Sequence, residues 1–441
     1  MLWNSTEYTG WGRALKAKAD LARPERVSTL KALWKDAKHP AIGKLRSYGD
    51  AALVNKGRAI DMTRMNRLIA FDPKTGILEA EAGITIGEIA RVFGPQGFLP
   101  AVMPGTGFAT LGGCIANDVH GKNHHVDGTF GQHVVSVALL GLNGRVRQVS
   151  PDKTPDLFKA TLAGLGQTGV ILSAKIQMIE IGSEVVDVRE NRMENLDEFL
   201  ARLDSSNARF SVGWIDALAQ GAALGRGILE EAEIREHATP LSPRPAKSVP
   251  INGPSFLMSA PIVRAFNATY IRRVPEEGVQ HDRTLDDFFF PLDRVQNWNR
   301  LYGKKGFHQF QCVLPADNAA RPLREMLSLI AEGKLASPLA VLKRLGPGRA
   351  GYLSFPMEGY TLAVDFPNRP RVAALVDRLV EITLNAGGRI YFAKDSLAKG
   401  DAVKGMYPER GAFAEIANTA DPEHLLTTDL VKRLKLRRPR P

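Results

Sequence analysis

Between Pro104 and His125 the chain reads Pro-Gly-Thr-Gly-Phe-Ala-Thr-Leu-Gly-Gly-Cys-Ile-Ala-Asn-Asp-Val-His-Gly-Lys-Asn-His-His. Glycine lets a backbone approach a ligand closely, and N–H groups left free in such a loop converge on anions, so the first half reads as a phosphate cradle. In the second half, His120, Lys122, Asn123, His124 and His125 offer a titratable base, a fixed positive charge and hydrogen-bond donors. The adjacent His124 and His125 would diverge on a strand or helix, and no His-Glu-x-x-His or Cys-x-x-Cys spacing accompanies them, so no metal site is expected. Neither common nucleotide fingerprint is present: there is no Gly-x-x-x-x-Gly-Lys-Ser/Thr, and Gly105-Thr106-Gly107 lacks a third glycine at the dinucleotide offset. An ordinary glycine turn therefore stays open as an alternative.

A second loop, Gly43-Lys44-Leu45-Arg46-Ser47-Tyr48-Gly49-Asp50, has the same small and polar texture. Further on, Phe307-His308-Gln309-Phe310-Gln311-Cys312-Val313-Leu314 alternates as a strand should. That puts Gln309 and Gln311 on one face, either lining a hydroxyl-binding pocket or forming the wet face of an edge strand. Lys394, beside Asp395 after an apolar run, is either a surface ion pair or a positioned lysine.

The elements that must hold these residues can be read coarsely. Residues 13–38 look helical, 59–62 and 78–82 read as strands, and 84–92 as an amphipathic helix. Strands are expected at 134–141 and 146–149 around an Asn143-Gly144 turn, a helix at 157–162, and a strand at 170–181. The Pro- and Ser-rich 236–256 reads as an irregular connection. Helices at 317–332 and 370–386 alternate with strands near 339–343, 352–355 and 360–366, which predicts a second α+β domain with an antiparallel sheet.

With 441 residues, 44% hydrophobic and 24% charged, the chain is long enough for two or three domains of ordinary globular composition. Cys114 and Cys312 are its two cysteines, which excludes a disulfide framework and suggests a reducing, cytoplasmic setting. No secretory signal and no uninterrupted apolar span are visible. Of the net charge of +11, much lies in Lys432, Arg433, Lys435, Arg437, Arg438 and Arg440. Such a tail is either a frayed end or a peripheral anchor for an anionic inner-membrane surface; without aromatics to stack on bases it does not suggest nucleic acid.

Several segments together resemble one family, the FAD-linked oxidoreductases of the vanillyl-alcohol oxidase type. They are Thr9-Gly10-Trp11-Gly12-Arg13, Arg46-Ser47-Tyr48-Gly49-Asp50, Pro104-Gly105-Thr106 with Gly112-Gly113, His120-Gly121-Lys122-Asn123-His124-His125 and Thr168-Gly169-Val170-Ile171. Trp298-Asn299-Arg300, Gln309-Phe310-Gln311, Val364-Asp365-Phe366-Pro367 and Ala393-Lys394-Asp395-Ser396 continue the pattern. The resemblance implies an α+β fold: a bipartite FAD-binding domain of the PCMH type over 1–182, a substrate-binding cap with an antiparallel sheet over 183–396, and a segment over 397–441 that returns to the FAD domain.

It also implies roles. Arg46, Ser47, Gly49, Asp50, Gly105, Thr106, Thr110, Gly112 and Gly113 would enclose the FAD pyrophosphate, with Asn117, His120, Ile171 and Tyr391 around the rest of a non-covalently held flavin. Lys122, Gln309, Gln311 and Lys343 would bind substrate, and Lys394, His120 and Tyr48 would be catalytic. The branch resembled implies oxidation of the 2′-hydroxyl of a polyprenyl-phosphoryl pentose to a keto-sugar. That is the first half of an epimerisation to the arabinose form for cell-wall arabinan, completed by a separate NAD(P)H-dependent keto-reductase. The chain departs from the branch at Thr361 (asparagine) and Phe289 (tyrosine), so its lipid or sugar is open to difference, and at Ala363 (an inhibitor-reactive cysteine), which implies loss of covalent inhibition rather than of catalysis. A soluble alditol or aldonolactone oxidase on the same fold, and a non-enzymatic phosphosugar- or nucleotide-binding protein, stay open as alternatives.

Overall fold

Three large sheets and one of two short strands carry the chain in this computed structural model, which describes residues 3–36, 38–242 and 244–437. The first runs Asn4–Thr9, Lys16–Ala22, Arg58–Asp61, Ala41–Ile42, the opening hairpin antiparallel and the other pairings parallel. Lys16–Ala22 falls within the stretch read as helical from sequence, and only Val27–Asp36 there is a helix. Its lysines and alanines suit a helix by propensity. The alternating burial of Ala17 and Ala19, and pairing with strands on both sides, override that preference.

A second, antiparallel sheet is ordered Leu68–Asp72, Ile77–Glu81, Val170–Glu180, Val134–Leu140, Val146–Val149, with Phe98–Pro100 also paired to Val170–Glu180. The helix Ile86–Phe93 packs into the core of this sheet through Ile86, Ile89, Ala90 and Phe93. Its start is fixed by a capping box in which Thr85 and Glu88 satisfy each other's backbone N–H. Nearby, Thr110 caps the short helix Leu111–Ala116 by accepting from Gly113 N at 3.2 Å.

The third sheet has eight antiparallel strands: Val279–Thr284, Val185–Met193, Gly227–Ile234, Phe210–Ile215, Ala340–Leu345, Gly359–Pro367, Phe307–Pro315 and Arg389–Ile390. The helices Ala320–Gly333 and Val372–Asn385 cover one face of it with Leu323, Met326, Leu327, Ile330, Val376 and Leu379. Its other face turns toward the loops of the first two sheets. Residues 352–355, expected as a strand, form an irregular turn instead. Ser354 there is spent on Asp118 and on accepting from Arg389, contacts that a ladder would not permit.

The basic C-terminal stretch is neither frayed nor free over its described part. Arg433 pairs with Asp50 at 2.7 Å and Asp395 at 2.8 Å, and the buried Arg437 pairs with Asp421 at 2.7 Å. Lys435 is exposed, 3.7 Å from Asp401. Arg438 and Arg440 lie outside the described residues. Two charges expected to attract a membrane are thus used to lock the chain end, Arg433 onto the loop at 50 and the turn at 395 and Arg437 onto Asp421.

Candidate active site

A cavity of about 410 Å³ opens between the loops of the first two sheets and the face of the third. Backbone and small residues make one wall: Gly43 to Tyr48, Met103 to Thr106, Thr110, Gly112, Gly113, Asn117, Gly169 and Ile171. Side chains at every second position of three paired strands make the other. These are Gln309 and Gln311, Val341 and Lys343, Ala363 and Asp365. Register aligns them, with Gln309 opposite Asp365, Gln311 opposite Ala363, and Ala363 opposite Val341. The two-residue period seen in the sequence is therefore a pocket wall, while Phe310 and Cys312 point into the core behind it.

Every residue to which the family resemblance gives a role lines this cavity except Gly49 and Asp50. A Cβ on Gly49 would come within 1.9 Å of the Asp395 carbonyl oxygen, so this glycine serves a backbone crossing rather than a ligand. Asp50 is turned away to Arg433. The expectation of free N–H groups also needs dividing. Gly112 N donates to Ala82 O at 2.8 Å and Gly113 N to Thr110, so neither amide is free. Among the described residues no acceptor meets the N–H groups of Leu45, Arg46, Ser47, Gly105 or Thr106. Leu45, at φ 54°, bends this run so that successive amides point inward, as in an anion nest. The Arg46 guanidinium is sandwiched between Trp11 at 4.2 Å and Phe108 at 4.6 Å, its Nε buried without a partner, and Asn117 Oδ1 is likewise unpartnered.

The histidine-rich run splits in function. Only His120 and Lys122 of its polar side chains reach the cavity. Asn123 donates to Ala101 O, His124 holds Gly348 O at 2.9 Å and Gly346 N at 3.0 Å, and His125 meets Ala208 O at 2.8 Å. These three, which looked chemical in sequence, clamp the loop to neighbouring segments.

At the sheet wall three lysines converge. Lys343 Nζ lies 3.2 Å from His120 Nδ1, and the terminal amide of Gln311 lies 3.2 Å from His120 Nε2 and 3.1 Å from Thr361 Oγ1. A neutral imidazole has one donor and one acceptor, so the contacts of His120 with Lys343 and with Gln311 run in opposite directions. Gln311 Nε2 donates to Thr361 Oγ1 and lies against His120 Nε2. His120 is neutral, burial holding it well below the ordinary histidine range with Lys343 adding to the effect. Burial, then the charges of Lys122 and Lys394, pushes Lys343 down to about 7. Burial also brings Lys122 down to about 8 although Glu230, 3.8 Å away, pulls the other way.

Lys394 stands over the Tyr48 ring at 3.5 Å. Burial lowers its pKa and Asp365 opposes that, while burial raises the Asp365 carboxyl. Asp365 accepts from Gln309 and from Tyr302. Neither Asp365 nor Glu230 was singled out as a site residue from sequence. The alternation of Ala363 and Asp365 on one strand was the available signal for the first; for Glu230 there was none, because its role depends on a distant loop. Asp293, also missed, accepts from Thr106 Oγ1 and Gly107 N, both at 2.7 Å, and so ties the segment Pro291–Arg294 to the glycine loop. Among the described residues there is no group of three or more His, Cys, Asp and Glu that could hold a metal ion.

The chain is similar to several known proteins. Residues 19–150 match the FAD binding domain family. The decaprenylphosphoryl-beta-D-ribose oxidase of Mycolicibacterium smegmatis is 33% identical over 97% of this chain and 97% of its own. An uncharacterized protein from Streptomyces coelicolor is 32% identical over 80% of this chain and all of its own length. The D-arabinono-1,4-lactone oxidase of Yarrowia lipolytica is 25% identical but aligns over only 31% of this chain and 27% of its own.

Proposed function

The chain belongs to the family of FAD-linked oxidoreductases represented by decaprenylphosphoryl-beta-D-ribose oxidase and oxidises a CH–OH group with FAD, and from that premise we propose that it takes a polyprenyl-phosphoryl pentose and oxidises its 2′-hydroxyl to a ketone. The observation that carries the substrate class is the sheet wall. Hydroxyl-binding amides at Gln309 and Gln311 sit beside Lys122 and Lys343, cations suited to a sugar phosphate. The lactone-oxidase likeness is confined to about a third of the chain and supports the flavin domain rather than the substrate.

The loop wall fits FAD on this structure's own terms: unanswered amides at Leu45 to Ser47, Gly105 and Thr106 suit a pyrophosphate, and the orphaned Asn117 Oδ1 and Arg46 Nε lack partners that a dinucleotide offers. Ser47, Thr110, Gly112, Gly113, Ile171 and Tyr391 would complete its enclosure by shape. When bound, FAD supplies the hydride acceptor.

The protein's own part is to hold the carbinol and stabilise charge on its oxygen. Lys394 Nζ would face the developing alkoxide with Tyr48 fixing its height, and the hydroxyl proton would pass to Asp365, a cavity-lining carboxylate that burial makes more basic. His120, held by Lys343, would fix Gln311 so that its side-chain amide meets a sugar hydroxyl. Lys122 and Lys343 would pair with the phosphate. No covalent bond from His120 to the flavin is part of this reading, since its two ring nitrogens are engaged by Lys343 and Gln311.

A separate NAD(P)H-dependent reductase would complete the epimerisation, and a polyprenyl tail would bring the protein to the inner membrane. Among the described residues no helix is long and apolar enough to cross a membrane. The test is to purify the protein, precipitate it with acid, and assay it with polyprenyl-phosphoryl ribose and an electron-accepting dye. A colourless supernatant over a yellow pellet would reject the non-covalent flavin. Turnover of free alditols or lactones, with none of the lipid-linked sugar, would reject the substrate.

A further inference from the structure

From His237 to Pro275 the chain contains no aspartate or glutamate, yet it carries Arg244, Lys247, Arg264, Arg272 and Arg273. The same stretch concentrates exposed apolar side chains: Ile251 is 74% exposed, Phe256 60% and Phe266 48%, with Leu241 and Ile262 also exposed. Exposed aliphatic residues elsewhere, such as Leu68 or Val146, are scattered singly or in pairs and need no partner.

These residues form one surface. On the helix Ala260–Ile271, Ile262 and Phe266 share a face one turn apart, and Phe266 stacks on Tyr270 at 5.6 Å. The turn Ser255–Met258, carrying Phe256, packs against both that helix and the turn Trp298–Tyr302. Lys247–Ser248 pairs with Val295–Gln296, setting exposed Val295 beside Lys247. Arg300 straps the stretch down by donating to Val249 O at 3.0 Å and Pro250 O at 2.9 Å. Exposed Lys304 and Lys305 adjoin it, next to Gly303 packed on the Gly253 carbonyl.

We propose that this surface docks the protein on an anionic lipid bilayer, with Ile251, Phe256, Ile262 and Phe266 entering the headgroup boundary and Arg244, Lys247, Arg264, Lys304 and Lys305 meeting the phosphates. Interleaved basic and bulky apolar side chains, in a stretch without an acid from His237 to Pro275, distinguish it from a protein interface, whose centre is depleted of charge. Its position favours a bilayer as well. Trp298 lines the cavity, and Met258, from the docking stretch, packs against the aromatic cluster formed by Trp298, Tyr302 and Phe307. A lipid-linked sugar would then reach the cavity without its tail leaving the bilayer; this purpose rests on the polyprenyl-phosphate reading. The chain end expected to serve as anchor has two of its cations bound in ion pairs, so the attraction to lipid moves here.

The test is co-sedimentation of the FAD-loaded protein with vesicles. Phosphatidylglycerol–phosphatidylcholine vesicles are expected to capture it more strongly than phosphatidylcholine alone, with binding lost as salt rises. The triple variant Ile251→Asp, Phe256→Asp, Phe266→Asp is expected to bind about tenfold more weakly or worse while keeping its flavin absorbance. Should the triple lose flavin, Phe256→Asp alone is measured, with a smaller loss in the same direction expected. Replacing Arg264, Lys304 and Lys305 by Gln should weaken capture by phosphatidylglycerol vesicles only. Removal of residues 438–441 should change nothing.

The proposal is overturned if wild-type protein ignores phosphatidylglycerol vesicles, if a folded variant binds like wild type, or if residues 438–441 carry the binding. A dimer that the triple variant splits, with no capture by vesicles, overturns it in favour of a second copy of the chain. Because the vesicles contain no sugar substrate, failure here leaves the oxidation reading untouched, and failure of sugar oxidation leaves this surface standing.

Discussion

The loop wall and the sheet wall of the cavity are built on opposite principles. Backbone does the work in the first: tight crossings leave no room for a Cβ at Gly43, Gly49 or Gly10, and the ligand-facing groups are amides whose direction the chain path fixes. The second is built of long side chains on a rigid, register-locked sheet, where Lys343, Gln311 and His120 orient one another. A change in the loop wall should therefore injure fold and cofactor together, and one in the sheet wall should alter chemistry alone.

The sharpest way to break that comparison is Lys394→Ala. It is expected to lower kcat by about 10²–10³-fold with FAD still bound, as loss of one charge-stabilising group does; steady-state turnover beside the visible spectrum would check it. Loss of the flavin along with activity would mean that the two walls are not separable.

Gly49→Ala is the counterpart on the loop side. Its Cβ would lie 1.9 Å from the Asp395 carbonyl oxygen, so a backbone segment must move. Stability should fall by about 3 kcal/mol, together with FAD retention, read by thermal melting and by flavin released on dilution.

Titration sharpens the sheet wall. Lys343 and Lys122, lowered to about 7 and about 8, are charged below those values and neutral above them. Affinity for a phosphate-bearing substrate should be full below pH 7 and fall as pH rises through 7 to 8, raising KM by about tenfold. A phosphate-free analogue assayed over the same range should show no such rise.

The smallest expected effect is that of Thr361→Val. It deletes a hydroxyl bonded to the Gln311 amide at 3.1 Å and should raise KM about threefold, the worth of one neutral hydrogen bond, with kcat unchanged. A larger effect on kcat than on KM would implicate the His120–Gln311 unit in the chemical step.

Local information carried the sequence reading as far as the types of group present. Glycine loops, the alternation of Gln309 and Gln311, and the helices at 86–93, 320–333 and 372–385 follow from short-range sterics and periodicity, and these were legible. Lys16–Ala22 was not, because its strand pairings with Asn4–Thr9 and Arg58–Asp61 outweigh its own propensity. The histidine run shows the same limit at the site: five polar residues looked alike in sequence, and chain direction alone turned His120 and Lys122 inward and the other three to structural clamps.

The sequence by itself determined the chemical inventory of this protein: amides freed by glycine, three lysines, paired glutamines and a family pattern spread along the chain. Only the tertiary structure decided their use. It set Asp365 to oppose the lowering of the Lys394 pKa, Glu230 beside Lys122, Arg433 on Asp50 and Asp395, and exposed apolar side chains beside the turn that brings Trp298 to the cavity. Each of these depends on desolvation or on a contact between residues far apart in the chain. Neither the cost of burying a charge nor the partner that offsets it is written in local spacing.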